Sequence, residues 1–224
     1  YILAIGPHPD DVEIWCGGVL YQSAMQGKKN IILDLSPSQL STNGDPVTRQ
    51  DEALCAAQRL HVEYRENLML DDGHLVDSPE NRKLLAWHIR KWKPEVVLIP
   101  WSSDRHPDHE VAAQLVKNTV FYAWLQRIDL DWLAPHKPRL LMHYMIWQEF
   151  EPDLIVKLDE KSFQQKMEAF ICYHSQKLTN SRWLEYVEAR HIVHGHRIGA
   201  RYGEGFKMYS HAVGIDGFDC VKLS

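Results

Sequence analysis

The sequence predicts an α/β protein with a Rossmann-like, mostly parallel twisted sheet flanked by helices. Short apolar runs typical of buried strands alternate with longer stretches of helical periodicity, and turn-rich segments separate them. The fourth apolar run, EVVLIP, is continuous, as strands covered on both faces are. This regular alternation of strands and helices is typical of the βαβ units that build a parallel sheet.

The N-terminal half contains four predicted strand–helix pairs. The strands are expected at 1–6, 30–36, 64–70 and 95–100, and the helices at 12–27, 47–60, 81–92 and 110–125. Gly27 is predicted to end the first helix and Pro94 to end the third. Thr48 and Asp51 have nearly the spacing of a capping box, which predicts the start of the second helix.

The C-terminal half continues with strands at 138–147 and 152–159 and helices at 161–173 and 181–199. Its glycine-rich segment 199–210 is predicted to be an ordered loop that leads to a last short element. No repeat, low-complexity tract or linker interrupts the chain, so we expect a single domain over residues 1–224.

Composition excludes several classes of protein. The net charge of −5 argues against a nucleic-acid binder, which usually carries a basic face. No apolar run is long enough for a membrane span, and no signal peptide is visible. Cys16, Cys55, Cys172 and Cys220 lie far apart without a CxxC pair. We therefore expect reduced, mostly buried thiols in a cytoplasmic protein.

Two loops concentrate histidines and carboxylates. PHPDD, at 7–11, follows the first strand, and WSSDRHPDH, at 101–109, follows the fourth. In a Rossmann-like strand order these two strands are neighbours, and ligands bind beyond their carboxyl ends. The two loops are therefore expected to meet in one crevice.

The residue types in these loops are those of a catalytic metal site. A catalytic zinc takes about three protein ligands and keeps a position open for water. His8 and Asp11 lie on one turning segment, and His109 would complete a His-Asp-His set from the other loop. Each motif alone also has a structural explanation, because an aspartate next to a helix is often its cap. The combination of both motifs favours the metal site.

Three further residues are candidates for proton transfer. Asp10 adjoins a predicted ligand but points elsewhere, as a general base must. His106 is predicted to donate a proton or to stabilise an oxyanion, and Asp108 to fix its tautomer or raise its pKa. The glycine pair Gly17 and Gly18 is predicted to allow close packing of the first helix, since the GxGxxG of a dinucleotide site is absent.

Together, PHPDDVE…GG and HPDH resemble the LmbE/PIG-L family of zinc-dependent N-deacetylases, which remove acetyl from N-acetylglucosamine-type amino sugars. DLSPSQLSTNG, TRQDEA, RHPDH and YGEGF are similar to the bacillithiol-biosynthesis branch, which acts on N-acetylglucosaminyl-malate. The resemblance covers nearly the whole chain. It implies an LmbE-like fold, one zinc per chain and a homo-oligomer such as a hexamer. Iron in the cell also suits a His2Asp ligand set.

The resemblance also implies residue roles. The family's metal-ligand positions are occupied by His8, Asp11 and His109, and its general-base position by Asp10. His106 matches the residue that stabilises or protonates the transition state, and Asp108 matches the residue that tunes it. Arg49 matches a sugar-binding arginine and Asp72 a sugar-hydroxyl contact. Tyr202 matches a mobile tyrosine that reaches the oxyanion, and Arg105 is expected to bind an anionic substituent such as malate. The structural alternatives are a surface ion pair for Arg49, a turn for Asp72 and packing for Tyr202.

The chain departs from the family pattern at Pro7 and Trp15, and Trp101 and Trp147 are expected to reshape the rim of the pocket.

Taken together, the motifs predict a metal-dependent hydrolase that deacetylates a small amino sugar, without nucleic-acid or membrane partners. One alternative is a zinc amidohydrolase acting on another N-acyl conjugate. The other is a non-catalytic metal- or sugar-binding relative, which would need neither Asp10 nor His106.

Overall fold

The computed structural model describes residues 1–176 and 182–209, which form one seven-stranded sheet in the order β3-β2-β1-β4-β5-β7-β6. The strands are β1 (Ile2–Gly6), β2 (Asn30–Asp34), β3 (Tyr64–Asn67), β4 (Val96–Pro100), β5 (Leu140–Tyr144), β6 (Leu154–Leu158) and β7 (Tyr202–Met208). Strands β1 to β5 pair in parallel, whereas β7 runs antiparallel to β5 and β6. The predicted fold class and the pairing of β1 with β4 are confirmed.

Helices cover both faces of the sheet. They are α1 (Asp11–Met25), α2 (Pro46–Arg59), α3 (Pro79–Trp92), α4 (Pro107–Trp124), α5 (Glu160–Ile171) and α6 (Arg182–Arg197). Alternate residues of β1 separate the two cores: Ile2 and Ala4 pack with α1, α2, α5 and α6, and Leu3 and Ile5 pack with α3 and α4. No helix within residues 1–176 or 182–209 combines the length and apolar character that a membrane crossing needs.

The start of α2 differs from the prediction. Asp45 is the N-cap, and its carboxylate accepts hydrogen bonds from the amides of Val47 and Thr48. Pro46 then occupies the first helical position, where its fixed φ fits and its missing N–H is not needed. The expected cap formed by Thr48 and Asp51 is wrong, because a stronger cap–proline pair precedes it.

Helix α4 also begins earlier than expected. His106 is its N-cap, and Pro107 is its first residue. Asp108 and His109 therefore lie in the first helical turn and not in a loop. Because successive residues of a helix point in directions about 100° apart, the side chains of Asp108 and His109 point to different parts of the site.

The C-terminal segment is a strand, β7, and not the predicted loop. Its Glu204 is buried and accepts hydrogen bonds from the amides of Gly18 at 2.9 Å and Val19 at 2.8 Å. A Cβ on Gly18 would lie 2.5 Å from Cδ1 of Leu158 and 3.0 Å from Oε1 of Glu204. The predicted close approach at the glycine pair is thus confirmed at Gly18.

The cysteines correct another expectation. Cys55 of α2 and Cys172, which follows α5, form a disulfide across 117 residues of sequence, whereas Cys16 is free and buried. The expectation of reduced thiols is therefore wrong for this pair, since helix packing brings together two cysteines that sequence spacing keeps apart. Cys220 lies outside the described residues.

Candidate active site

A cavity of about 450 Å³ opens at the carboxyl edge of the sheet, where the loops after β1, β2, β3 and β4 converge. It is lined by His8, Asp10, Asp11, Ser38, Leu40, Ser41, Thr42, Arg49, Asp72, Gly73, His106, His109, Trp147 and Gln176. The ring centres of His8 and His106 are 4.9 Å apart, and those of His8 and His109 are 5.5 Å apart. The structure thus brings the two histidine-rich loops together at the predicted place.

His8, Asp11 and His109 present one donor atom each to a common point. Nδ1 of His8 lies 3.3 Å and Nε2 of His109 lies 3.5 Å from Oδ2 of Asp11. The three donor atoms all lie within 4.8 Å of one another, which fits a divalent ion with two imidazoles and one carboxylate. Their role as metal ligands stays a prediction that this arrangement fits.

The second ring nitrogen of His8 contacts two carboxylates. Nε2 lies 3.0 Å from Oδ1 of Asp72 and 3.3 Å from Oδ2 of Asp108. The hydrogen bond from His8 lowers the pKa of Asp72 to about 2, although burial opposes it. Such carboxylates fix the ring of a metal-binding histidine and raise its basicity. Nothing in the sequence pattern indicates this contact for either aspartate.

The carboxylate of Asp108 hydrogen-bonds His8 and the amide of Gly73, not the ring of His106 as predicted. Its backbone amide instead donates to Nδ1 of His106 at 3.2 Å. With Nδ1 an acceptor, the neutral ring of His106 carries its proton on Nε2. Burial, followed by the charges of His109 and His8, lowers the pKa of His106, although the charge of Asp108 raises it. Asp108 thus sets the tautomer of His106 through its backbone.

Asp10 occupies the N-cap position of α1 but makes no capping hydrogen bond with its side chain. Its carboxylate lines the cavity and accepts a hydrogen bond from Nη1 of Arg49 at 3.1 Å. Burial raises the pKa of Asp10 to about 7, although the charge of Arg49 lowers it. A carboxylate with a pKa in this range is suited to general-base catalysis near neutral pH.

Arg49 and Asp72 line the cavity, but both have partners within the protein. Arg49 is 3% exposed and donates to Asp10 and to the carbonyl of Pro9, so the alternative of a surface ion pair is wrong. Asp72 contacts His8 through Oδ1 and accepts the amide of Leu40 through Oδ2 at 2.8 Å. Their sugar contacts stay predictions. Their partners within the protein show that Arg49 also holds Asp10 and that Asp72 also holds His8.

Tyr202 lies away from the cavity. Its ring stacks on Phe163 with centres 3.8 Å apart, and its hydroxyl donates to Glu188. The side chain belongs to a groove between α5 and α6, since β7 places it on the face of the sheet that these two helices cover. Contrary to the prediction, it is not placed to reach an oxyanion, and the alternative of packing describes it.

The cavity rim contains Trp147, as expected, whereas Trp101 packs on His143 and Phe150 and does not line the cavity. The guanidinium of Arg105 is exposed and stacks 3.7 Å above the ring of Trp147. This places a cation beside the cavity mouth, and its binding of an anionic substituent stays a prediction.

Asp104 is the main residue of the site that was not predicted from the sequence. Its Oδ1 accepts hydrogen bonds from the amide of His106 at 3.0 Å and from Nδ1 of His109 at 3.1 Å. Burial raises its pKa, but the hydrogen bonds from His109 and His106 outweigh this and hold it at about 2. The available signal was an aspartate five residues before His109 in the same loop.

Gln176 and Ser38 also line the cavity and were not predicted. Ser38 lies in the DLSPSQLSTNG segment that carries part of the family resemblance, but no role was assigned to it there, and the segment of Gln176 contains no recognisable motif.

Comparison with known proteins gives consistent matches. The sequence profile of the PIG-L family, described as GlcNAc-PI de-N-acetylase, matches residues 3–120. The diacetylchitobiose deacetylase of Thermococcus kodakarensis is 27% identical, over 92% of this chain and 82% of the relative.

Two solved structures are similar to this chain over most of its length. A conserved protein of Thermus thermophilus is 33% identical with a TM-score of 0.89, covering 96% of both chains. The N,N'-diacetylchitobiose deacetylase of Pyrococcus horikoshii is 27% identical with a TM-score of 0.83, covering 92% of this chain and 82% of that one.

Proposed function

The chain belongs to the PIG-L family, the GlcNAc-PI de-N-acetylases, and from this membership we propose that it is a zinc-dependent N-deacetylase of N-acetylglucosamine-type amino sugars. The observation that carries the proposal is the placement of Asp10 beside the His8–Asp11–His109 donor set in one cavity. We assign the activity to a single domain, because one sheet includes both Ile2 and Met208.

His8, Asp11 and His109 would hold the zinc ion through Nδ1, Oδ2 and Nε2. A bound zinc polarises a carbonyl oxygen and lowers the pKa of a water molecule towards neutrality. The donor set is supported by its surroundings, since each histidine directs its other nitrogen to a carboxylate. Iron is compatible with the same donors.

The protein's own groups supply the proton transfers. Asp10, with its pKa raised to about 7, takes a proton from the attacking water. His106 is neutral and donates a hydrogen bond from Nε2 to the acetyl oxygen as negative charge develops there. Protonated Asp10 then gives its proton to the leaving nitrogen. The amide bond breaks, water supplies the new C–O bond, and the products are acetate and a free amino sugar.

The substrate class follows from the relatives and the cavity. Two relatives that are named diacetylchitobiose deacetylases match this chain over most of its length. A cavity of about 450 Å³ is in the range of small-molecule sites. Arg105 at the rim favours an anionic aglycone, so N-acetylglucosaminyl-malate, the bacillithiol precursor, is the specific substrate that we propose.

We keep the cytoplasm and a homo-oligomer, such as a hexamer, as proposals from the family resemblance. The Cys55–Cys172 disulfide is an observation against the cytoplasm, because disulfides persist mainly in oxidising compartments.

The test is acetate release by the zinc-loaded protein from N-acetylglucosamine, N,N'-diacetylchitobiose and N-acetylglucosaminyl-malate. We expect release that a chelator abolishes and zinc restores, with the malate conjugate having the highest kcat/KM. A His109→Asn control should lose zinc and activity together. A zinc-loaded protein that releases acetate from none of the three would overturn the proposal and favour another N-acyl conjugate or a non-catalytic binder.

A further inference from the structure

The carboxylate of Asp104 has a hydrogen-bond donor at each of its acceptor positions. Oδ1 accepts from the amide of His106 at 3.0 Å and from Nδ1 of His109 at 3.1 Å. Oδ2 accepts from the amides of Trp147 at 3.0 Å and Gln148 at 3.2 Å. An ionised carboxylate offers about four acceptor sites and no donor. The side chain is 1% exposed, so water does not replace any of these partners freely.

The two oxygens serve two different parts of the cavity. Oδ1 fixes His109, whose Nε2 faces Asp11, and the backbone of the neighbouring His106. Rotation of the His109 ring would break its bond to Asp104, so this bond sets the direction of Nε2.

Oδ2 fixes the segment after β5, which comes from a distant part of the sequence. Trp147 of this segment lines the cavity, and its ring lies between the guanidinium of Arg105 at 3.7 Å and the ring of Trp183 at 4.6 Å. One buried side chain thus links the first turn of α4, which contains the predicted metal ligand His109, to the wall of the cavity.

We propose that Asp104 is a positioning residue that sets two geometries at once: the orientation of His109 towards the metal and the position of the Trp147 wall towards the substrate. The inference rests on the proposed metal-dependent function, and it adds a residue that determines how tightly both metal and sugar bind. Asp104 does not touch the reacting atoms and acts through His109 and Trp147.

The test is Asp104→Asn, because an amide cannot accept from all four donors. Whichever way the introduced amide turns, its NH₂ group faces two N–H donors, so one side of the cavity loses its support. We expect the zinc affinity, measured by competition with a chromophoric chelator, to fall by about 10- to 100-fold. At saturating zinc we expect KM for the sugar to rise, because the Trp147 wall is no longer held.

Asp153→Asn is the matched control. Asp153 also accepts a backbone amide, that of Met208 at 3.0 Å, and it does not line the cavity. This variant should keep wild-type zinc affinity and KM. If Asp104→Asn does not fold, Asp104→Glu takes its place, since it keeps four acceptor sites on a longer stem and should recover part of the zinc affinity.

The failure of this inference differs from the failure of the proposed function. A folded Asp104→Asn protein with wild-type zinc affinity and wild-type KM overturns the positioning role, while the wild type remains a zinc deacetylase. The same holds for a folded Asp104→Glu protein with wild-type zinc affinity and wild-type KM, since the longer stem displaces all four acceptor positions. A wild type that binds no zinc overturns the proposed function itself.

Discussion

Arg49 holds Asp10 at two points, its side-chain carboxylate and the peptide bond that precedes it. Nη1 donates to the carboxylate of Asp10 at 3.1 Å, and Nη2 donates to the carbonyl of Pro9. Asp10 has a φ of 113°, a conformation that costs a non-glycine residue on the order of 1–3 kcal/mol and persists only where the surroundings impose it. The guanidinium is thus part of what fixes the direction of the proposed general base.

Replacing Arg49 with lysine should separate this positioning role from sugar binding. Lysine keeps the charge but cannot reach the carboxylate of Asp10 and the carbonyl of Pro9 together in one planar fork. We expect kcat for acetate release to fall while KM changes little. Steady-state kinetics provide the measurement, and a rise in KM at unchanged kcat would instead support the sugar contact predicted from the sequence.

The position of Tyr202 predicts that its hydroxyl is not needed for catalysis. Tyr202→Phe removes one hydrogen bond to Glu188, which should cost about 0.5–1.5 kcal/mol of stability and leave kcat unchanged. His106→Ala should lower kcat by about 100- to 1000-fold, because it removes the donor to the developing oxyanion. Comparable losses of kcat in the two variants would contradict the placement of Tyr202 outside the site.

The Cys55–Cys172 disulfide should be detectable and stabilising. A peptide map without reductant is expected to contain the two cysteines in one linked species, by mass spectrometry. Reduction should lower the free energy of unfolding by about 2–5 kcal/mol, because the bond closes a long loop. Cys55→Ser is the control, and its stability should not respond to reductant. Both thiols free in air-oxidised protein would refute the bond.

A buried histidine predicts how stability depends on pH. His191 donates from Nδ1 to the carbonyl of Val187 at 2.6 Å, and its Nε2 accepts a hydrogen bond from Lys166. Burial, followed by the charge of Lys166, lowers the pKa of His191 below its ordinary value of 6.5. Below pH 6.5 the unfolded chain therefore binds a proton at His191 that the folded protein does not bind, and the free energy of unfolding decreases as the pH is lowered.

His191 contributes at most about 1.4 kcal/mol per pH unit to the slope of the free energy of unfolding against pH. Urea unfolding at several pH values measures it, and His191→Gln should reduce the slope below pH 6.5. His196→Gln, which alters an exposed histidine of the same helix, should keep the wild-type slope. Identical slopes in all three proteins would show that His191 does not contribute.

The sequence was sufficient for the fold class and for the pairing of β1 with β4, because the alternation of strands and helices and the rules for their connections determine both. Apolar runs, prolines and turn residues locate the strands and helices, and the connection rules then place the β1–α1 connection, which contains His8, next to the connection that leads from β4 to α4. The predicted metal and base residues lie in these two connections or in the first helical turns that follow them, so the topology brings them together without knowledge of side-chain packing.

The remaining site depends on contacts that no spacing encodes. Asp108 turns towards His8 because α4 begins at Pro107, one turn earlier than expected. Tyr202 is remote because its segment forms an antiparallel strand, which the glycines of YGEGF concealed. Asp104 binds a segment some forty residues later in the chain, and only the folded structure reveals that partner.

The division of labour between Asp10 and Asp11 is the central claim, and one comparison tests it most directly. Acetate release and zinc content should be measured together in the wild type and in Asp10→Asn. We predict equal zinc content, since Asp10 is not one of the three donors, and a turnover lower by about 100- to 10,000-fold, since the general base is lost. Near-wild-type turnover by the zinc-loaded variant would contradict the account.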